Sequence, residues 1–164
     1  MAIERCVRCG PDCWAPWLIN RRLRQRWCKK HFGWWGKGAE LRLGAYIVHP
    51  KNIFVGENVV IRPGCQLYAD ECCSISIYDN VLLGPGVSIF VNNHGLNPEE
   101  REDYSRASVV IEEDVWIGAN SIILSGVKIG YGATIGGGSV VTKNVPPLEV
   151  WCGNPARKVK DAPR

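Results

Sequence analysis

From Val55 onward the chain sets an aliphatic residue at every sixth position. Val55, Ile61 and Leu67 open the series, and Ile77, Leu83 and Ile89 continue it after a four-residue slip. Ile111, Ile117, Ile123, Ile129, Ile135 and Val141 then give six consecutive hits. An amphipathic helix needs apolar positions three and four apart, and a half-buried strand needs them two apart. A spacing of six fits neither. Glycine often follows the aliphatic residue (Gly56, Gly84, Gly118, Gly130, Gly136), and four positions on stands a small or β-branched residue such as Val59, Cys65, Val115, Ser121 or Ala133.

This pattern predicts a short flat strand followed by a tight turn that calls for a residue without Cβ. Three such units close a triangular coil of about eighteen residues, and each aliphatic side chain is buried by its equivalent one coil away. The expected fold class is all-β, a parallel β-helix of hexapeptide repeats with a short N-terminal helical or irregular segment and a C-terminal extension. Residues 1–45 form a basic, Cys/Trp-rich N-terminal segment, 46–150 the β-helix domain, and 151–164 a tail. Within the first segment, Pro11 and Pro16 precede a predicted helix from about Pro16 to Lys30, and the glycines of "FGWWGKGAE" end it.

The beat stops once. Ile89 and Ile111 are 22 residues apart, four more than one full coil, and the stretch "VNNHGLNPEER" between them is polar and unrepetitive. An excursion over residues 90–110 from an otherwise rigid stack is where function tends to sit. It carries His94, one of three histidines in the chain. Imidazole titrates near neutral pH and can both take and return a proton.

Charge separates the segments. The net formal charge is +4, yet residues 1–30 hold eight Arg or Lys against Glu4 and Asp12, so the basic character belongs to the N-terminus. Such a cluster suits nucleic acid, an anionic membrane surface, lipid-linked phosphate or a solvated helix face. No apolar run is long enough to span a bilayer and no signal peptide is visible, which gives a cytoplasmic expectation, with the inner face of the membrane as a refinement. Four of the eight cysteines fall early. Cys6-x-x-Cys9 and Cys28-x-x-His31 have zinc-ligand spacing, with Cys13 as a fifth candidate, while the alternative is a set of small hydrophobes and free thiols. Cys65, Cys72 and Cys73 read as packing residues of the repeat.

The run "VWIGANSIILSGVKIGYGATIGGGSVVTKNVPP", followed by "GNPARKVK", resembles the hexapeptide-repeat acyltransferases, which fold as a left-handed parallel β-helix. "IYDNVLLGPGVSIFVNNHGLNPEER" resembles in particular the maltose- and galactoside-type sugar O-acetyltransferases. The resemblance covers about residues 50–160 and implies a homotrimer whose active sites lie in clefts between neighbouring chains, with acetyl-CoA as cosubstrate. It places the catalytic base at His94 and matches Arg101 to an acceptor-side position. It assigns the cofactor to Trp116, Ala119, Gly137, Thr142, Lys143, Arg157 and Lys160. Asn92 and Asn93 are candidates for the oxyanion, and Asp70 and Glu71 stand near the family's sugar-binding aspartate, where Cys72 aligns; Gly64 replaces its asparagine.

These departures point away from free maltose or galactoside. They favour a nucleotide-linked, lipid-linked or polymeric sugar of a surface glycan, with peripheral membrane contact through the basic N-terminus and no nucleic acid. N-acetylation of an amino sugar and a non-catalytic scaffold are the alternatives. A γ-class carbonic anhydrase would need histidines converging on a metal, and only His31, His49 and His94 are present, with His49 placed for a structural role.

Overall fold

The computed structural model describes residues 20–95, 97–100 and 104–163. The six-residue beat is the inward-facing set of three parallel sheets. Face A aligns Trp35, Val55, Ile77, Ile111 and Ile129. Face B aligns Leu41, Ile61, Leu83, Ile117, Ile135 and Trp151. Face C aligns Ile47, Leu67, Ile89, Ile123 and Val141. Every aliphatic member of these columns is buried. A strand of two or three residues cannot bury its own side chain, so each coil is stable only in the stack. Burying one Ile or Leu in this way contributes about 1.5–3 kcal/mol.

The coil stack begins earlier than the repeat suggested. Trp34–Trp35, Glu40–Leu41 and Tyr46–Val48 already form a full coil, so the segment before residue 46 supplies the first turn of the solenoid. The helix α1, Arg21–His31, starts behind an Asn20 cap and closes the core at this end. Its buried side chains are Arg24 and Cys28, and the Arg24 Nε donates to the Leu41 carbonyl at 2.6 Å. The predicted helix start near Pro16 lies outside the described residues.

The glycines after the inward residues have a different cause from the one expected. None of Gly56, Gly84, Gly118, Gly130 and Gly136 has a left-handed backbone; instead a Cβ at Gly118 would sit 2.4 Å from the Gly137 nitrogen of the next coil. Close approach of coils, not turn geometry, excludes a side chain there. The left-handed positions come later in each corner, at Asn58, Asn80 and Asp114 between faces A and B. Their side chains form a ladder, with Asn58 Nδ2 donating to Asn80 at 3.2 Å and Asn80 Nδ2 to Asp114 at 3.0 Å.

At the other end, Glu149–Gly153 extends face B and pairs antiparallel with Ala156–Asp161. No helix among the described residues is long and apolar enough to cross a membrane.

Candidate active site

Ile89 on face C and Ile111 on face A belong to consecutive strands of the solenoid. The chain therefore skips no coil. An ordinary corner is replaced by a projecting hairpin, in which Asn92–His94 pairs antiparallel with Tyr104–Arg106. His94 stands opposite Tyr104 at the outer end of this pairing and is exposed. Asn92, half-buried, stands opposite Arg106 at the root. Arg101 lies outside the described residues.

Two polar clusters fix that root. The Ser125 hydroxyl donates to the Val91 carbonyl at 2.8 Å and accepts from the Ala107 N–H at 3.0 Å, tying both legs of the hairpin to the next coil. Asp70 holds the preceding coil. One of its oxygens accepts from the N–H groups of Cys72 and Cys73, each at 2.8 Å, and the other meets the Arg106 Nε at 3.3 Å. The Arg106 guanidinium also donates to the Cys72 sulfur at 3.7 Å. Asp70 is thus engaged within the protein, while neighbouring Glu71 is exposed.

Repeat spacing gave no notice of an aromatic stack on face C that leads to this root. Tyr68 and Phe90 are register partners with ring centroids 5.0 Å apart, and Tyr46 meets Tyr68 at 5.4 Å. Each flanks an inward residue of the same column, which is the one sequence signal that could have marked them. Phe90 directly precedes Val91, where the hairpin departs.

The residues matched to the cofactor lie on other parts of the solenoid. Trp116 projects from face B, 53% exposed, between Leu82 and Thr134. Ala119 and Gly137 sit on successive coils at the corner between faces B and C, and an added Cβ at adjacent Gly138 would meet nothing within 4 Å. That corner therefore offers an open strip of small residues beside an exposed indole, which fits an extended pantetheine chain. Thr142 and Lys143 follow the last strand of face C and are exposed. Arg157 and Lys160 are exposed on the C-terminal hairpin. Lys143, Arg157 and Lys160 thus all lie exposed in the C-terminal part of the chain.

No cluster of metal-ligating side chains occurs among the described residues. Cys28 is packed in the core, and burial pushes its thiol up to about 12. His31 Nδ1 is 2.8 Å from the Trp27 carbonyl, and its ring stacks on Trp27. The zinc expectation for this pair is not supported; Cys6, Cys9 and Cys13 lie outside the described residues. His49 adopts a left-handed backbone ahead of the turn Pro50–Asn52.

The fold is a parallel β-helix from which one hairpin projects, carrying an exposed histidine. Residues 108–143 match the bacterial transferase hexapeptide (six repeats) model. A galactoside O-acetyltransferase of Escherichia coli is 33% identical over 140 residues, covering 84% of this chain and 68% of the relative. One from Lactococcus lactis is 36% identical over 118 residues, covering 68% of this chain and 56% of the relative. Among solved structures, a maltose O-acetyltransferase of Clostridium difficile superposes with a TM-score of 0.80 at 34% identity, covering 90% of this chain and 79% of that one. A hexapeptide-repeat acetyltransferase of Vibrio cholerae in complex with acetyl coenzyme A gives 0.84 at 28% identity, covering 89% and 80%. The chain belongs to the hexapeptide-repeat acetyltransferases of the galactoside and maltose type, with their left-handed β-helix. It spans 56–68% of the length of these two curated relatives.

Proposed function

We propose that this protein transfers an acetyl group from acetyl-CoA to a hydroxyl of a sugar carried on a glycan precursor or polymer, with His94 as general base. The observation that carries the reading is the hairpin: a rigid stack, pinned at Ser125 and Asp70, holds one exposed imidazole away from the solenoid. His94 removes the hydroxyl proton as the oxygen attacks the thioester carbonyl. When the tetrahedral adduct collapses, the C–S bond breaks and the proton returns from His94 to the departing thiolate. Asn92 and Asn93 stand close enough in sequence to supply an amide donor to the oxyanion.

The proposed cofactor strip of Ala119 and Gly137 lies at the B–C corner, while His94 leaves from the corner between faces C and A. One face separates them, on the order of 15 Å for a short strand and its turns. A base must come within about 3 Å of its proton. That separation supports a site completed by a neighbouring copy, as in a homotrimer. Trp116, Thr142, Lys143, Arg157 and Lys160 bind the cofactor in this reading, and Arg101 and Glu71 are assigned to acceptor binding. The Tyr46–Tyr68–Phe90 stack borders the sugar.

The test is thiol release from acetyl-CoA with a panel of sugars, nucleotide sugars and polymeric glycans. Turnover on at least one hydroxyl acceptor, abolished in His94→Ala with acetyl-CoA binding retained, is the expected result. Equal turnover in His94→Ala would remove the histidine from the mechanism.

A further inference from the structure

The basic N-terminal cluster acquires a geometry in α1. At about 100° per residue, Arg22, Arg26, Lys29 and Lys30 fall within an arc of roughly 100°. Arg24, Trp27, Cys28 and His31 fall within a similar arc on the opposite side. The burial pattern follows this division. Arg24 and Cys28 are buried and Trp27 is packed against the core, whereas Arg22, Arg26, Lys29 and Lys30 are all exposed. Arg21 lies off the stripe and is paired with Glu40. No acidic residue occurs anywhere in α1. The four stripe cations have no ion pair among the described residues.

We infer that this stripe is a docking surface for an anionic phospholipid bilayer. Charge complementarity selects an anion: four cations with no ion pair among the described residues lie side by side on a helix whose other face is anchored to the first coil. Two apolar features favour a bilayer over nucleic acid. Leu23 borders the stripe and is 48% exposed, and Trp34, three residues beyond the helix, is 65% exposed. A helix whose cationic arc is bordered by an exposed leucine, followed by an exposed tryptophan on the first coil, matches the chemistry of the headgroup–acyl boundary. Nucleic acid would use the charges and leave the apolar groups in water.

The docked orientation bears on the reaction proposed above and rests on it only for that consequence. With α1 against the surface, the coils rise from the membrane at about 4.8 Å each. His94 projects where the third coil ends. Adding a helix diameter of about 10 Å places the imidazole on the order of 20 Å above the headgroups. A sugar displayed on a lipid carrier or on a nascent membrane glycan reaches that height, and a free disaccharide gains nothing from it.

Flotation of the full chain with vesicles of phosphatidylcholine alone, or with 30–40% phosphatidylglycerol on the order of a natural anionic leaflet, tests the inference. Binding is expected only to the anionic vesicles and is expected to weaken as salt rises. Arg22→Gln/Arg26→Gln/Lys29→Gln/Lys30→Gln should lower the partition coefficient more than tenfold, since each basic residue near such a surface contributes roughly fivefold. The milder Lys29→Gln/Lys30→Gln should give an intermediate loss if the fourfold variant fails to fold. Arg21→Gln should bind as the wild type does. No flotation at low salt, undiminished flotation of a folded stripe variant, or duplex DNA bound more tightly than the vesicles would each overturn it. Acetyl-CoA turnover on a soluble acceptor is expected to survive the stripe substitutions, so failure of the docking surface and failure of the proposed reaction are read separately.

Discussion

The coil stack and the histidine hairpin are built on opposite principles. In the stack, the six-residue columns are aliphatic or aromatic and their contacts repeat coil after coil, while the two buried serines, Ser121 and Ser139, each donate to the Gly136 carbonyl. At the hairpin root, the chain leaves that repeat and polar side chains take over. Ser125 and Asp70 hold what apolar packing does not. The difference predicts two kinds of mutant: those that lose the fold and keep the chemistry per folded molecule, and those that lose the chemistry and keep the fold.

His94→Ala is the sharpest case of the second kind. Removing a general base typically costs about 10²–10⁴-fold in rate. An exposed side chain at the outer end of a hairpin contributes little to stability. The expected outcome is a kcat reduced to that degree, with a melting temperature within about a degree of the wild type, measured on the same preparation by steady-state assay and calorimetry.

Ile129→Ala is its counterpart. Ile129 is fully buried in the face A column, beside Ile111. Truncation leaves a cavity that a rigid stack cannot close, at a cost of about 2–5 kcal/mol. For a domain of this size that lowers the melting temperature by roughly 5–15 °C. Below the transition, turnover per folded molecule should stay within about twofold of the wild type, because face A carries none of the proposed site residues. A large loss of kcat without a loss of stability would mean that the stack does more than support.

The same division explains what could be read in advance. The columns from Val55 onward were legible because one residue type recurs at one interval. The first coil was missed although Trp35, Leu41 and Ile47 are also six apart, because its leading member is aromatic and the Pro50–Asn52 turn lengthens the step to Val55. The glycine positions were legible, but their cause was not: contact between coils is a tertiary fact, and a single unit of sequence does not contain it. The hairpin was visible only as an absence of rhythm. Its strands are short and polar, without the alternation that marks a strand. The Asp70–Arg106 contact joins two stretches that share no local pattern, so no spacing rule reaches it.

Asp70→Asn isolates that contact. Asparagine keeps an oxygen for the Cys72 and Cys73 N–H groups and removes the charge that faces Arg106. We propose that Asp70 positions the hairpin, and that loosening it displaces His94 from its acceptor. The expected result is a kcat lowered roughly three- to tenfold, with KM for acetyl-CoA unchanged and little change in melting temperature. If instead KM for the sugar rises while kcat holds, Asp70 touches the acceptor directly, and the hairpin is held by Ser125 and its backbone alone.

The smallest effect is expected at a charge pair on the regular part of the stack. On face A, Lys128 Nζ meets Glu112 Oε1 at 2.6 Å, and the other Glu112 oxygen accepts from the Tyr131 N–H at 2.7 Å. The Lys128 hydrogen bond first, and then the Tyr131 N–H, lower the Glu112 carboxyl below its ordinary 4.5. The Glu112 hydrogen bond likewise raises Lys128 above 10.5. A lowered acid stabilises the fold above its unfolded pKa and loses that contribution as pH falls through the folded value. A raised base stabilises below its unfolded pKa and loses that contribution as pH rises through the folded value. The pair therefore contributes fully between these two ordinary values and fades outside them. Because both side chains are solvated, Lys128→Met should lower the melting temperature at pH 7 by no more than about 2 °C. The difference from wild type should shrink in high salt and as pH falls below the carboxyl's folded value. Activity should be unchanged. An ion pair on the stack would then be worth little, whereas the one at Asp70 changes turnover, because only the latter holds a segment that apolar packing leaves loose. A Lys128→Met variant with impaired turnover would break that distinction and extend the proposed site onto face A.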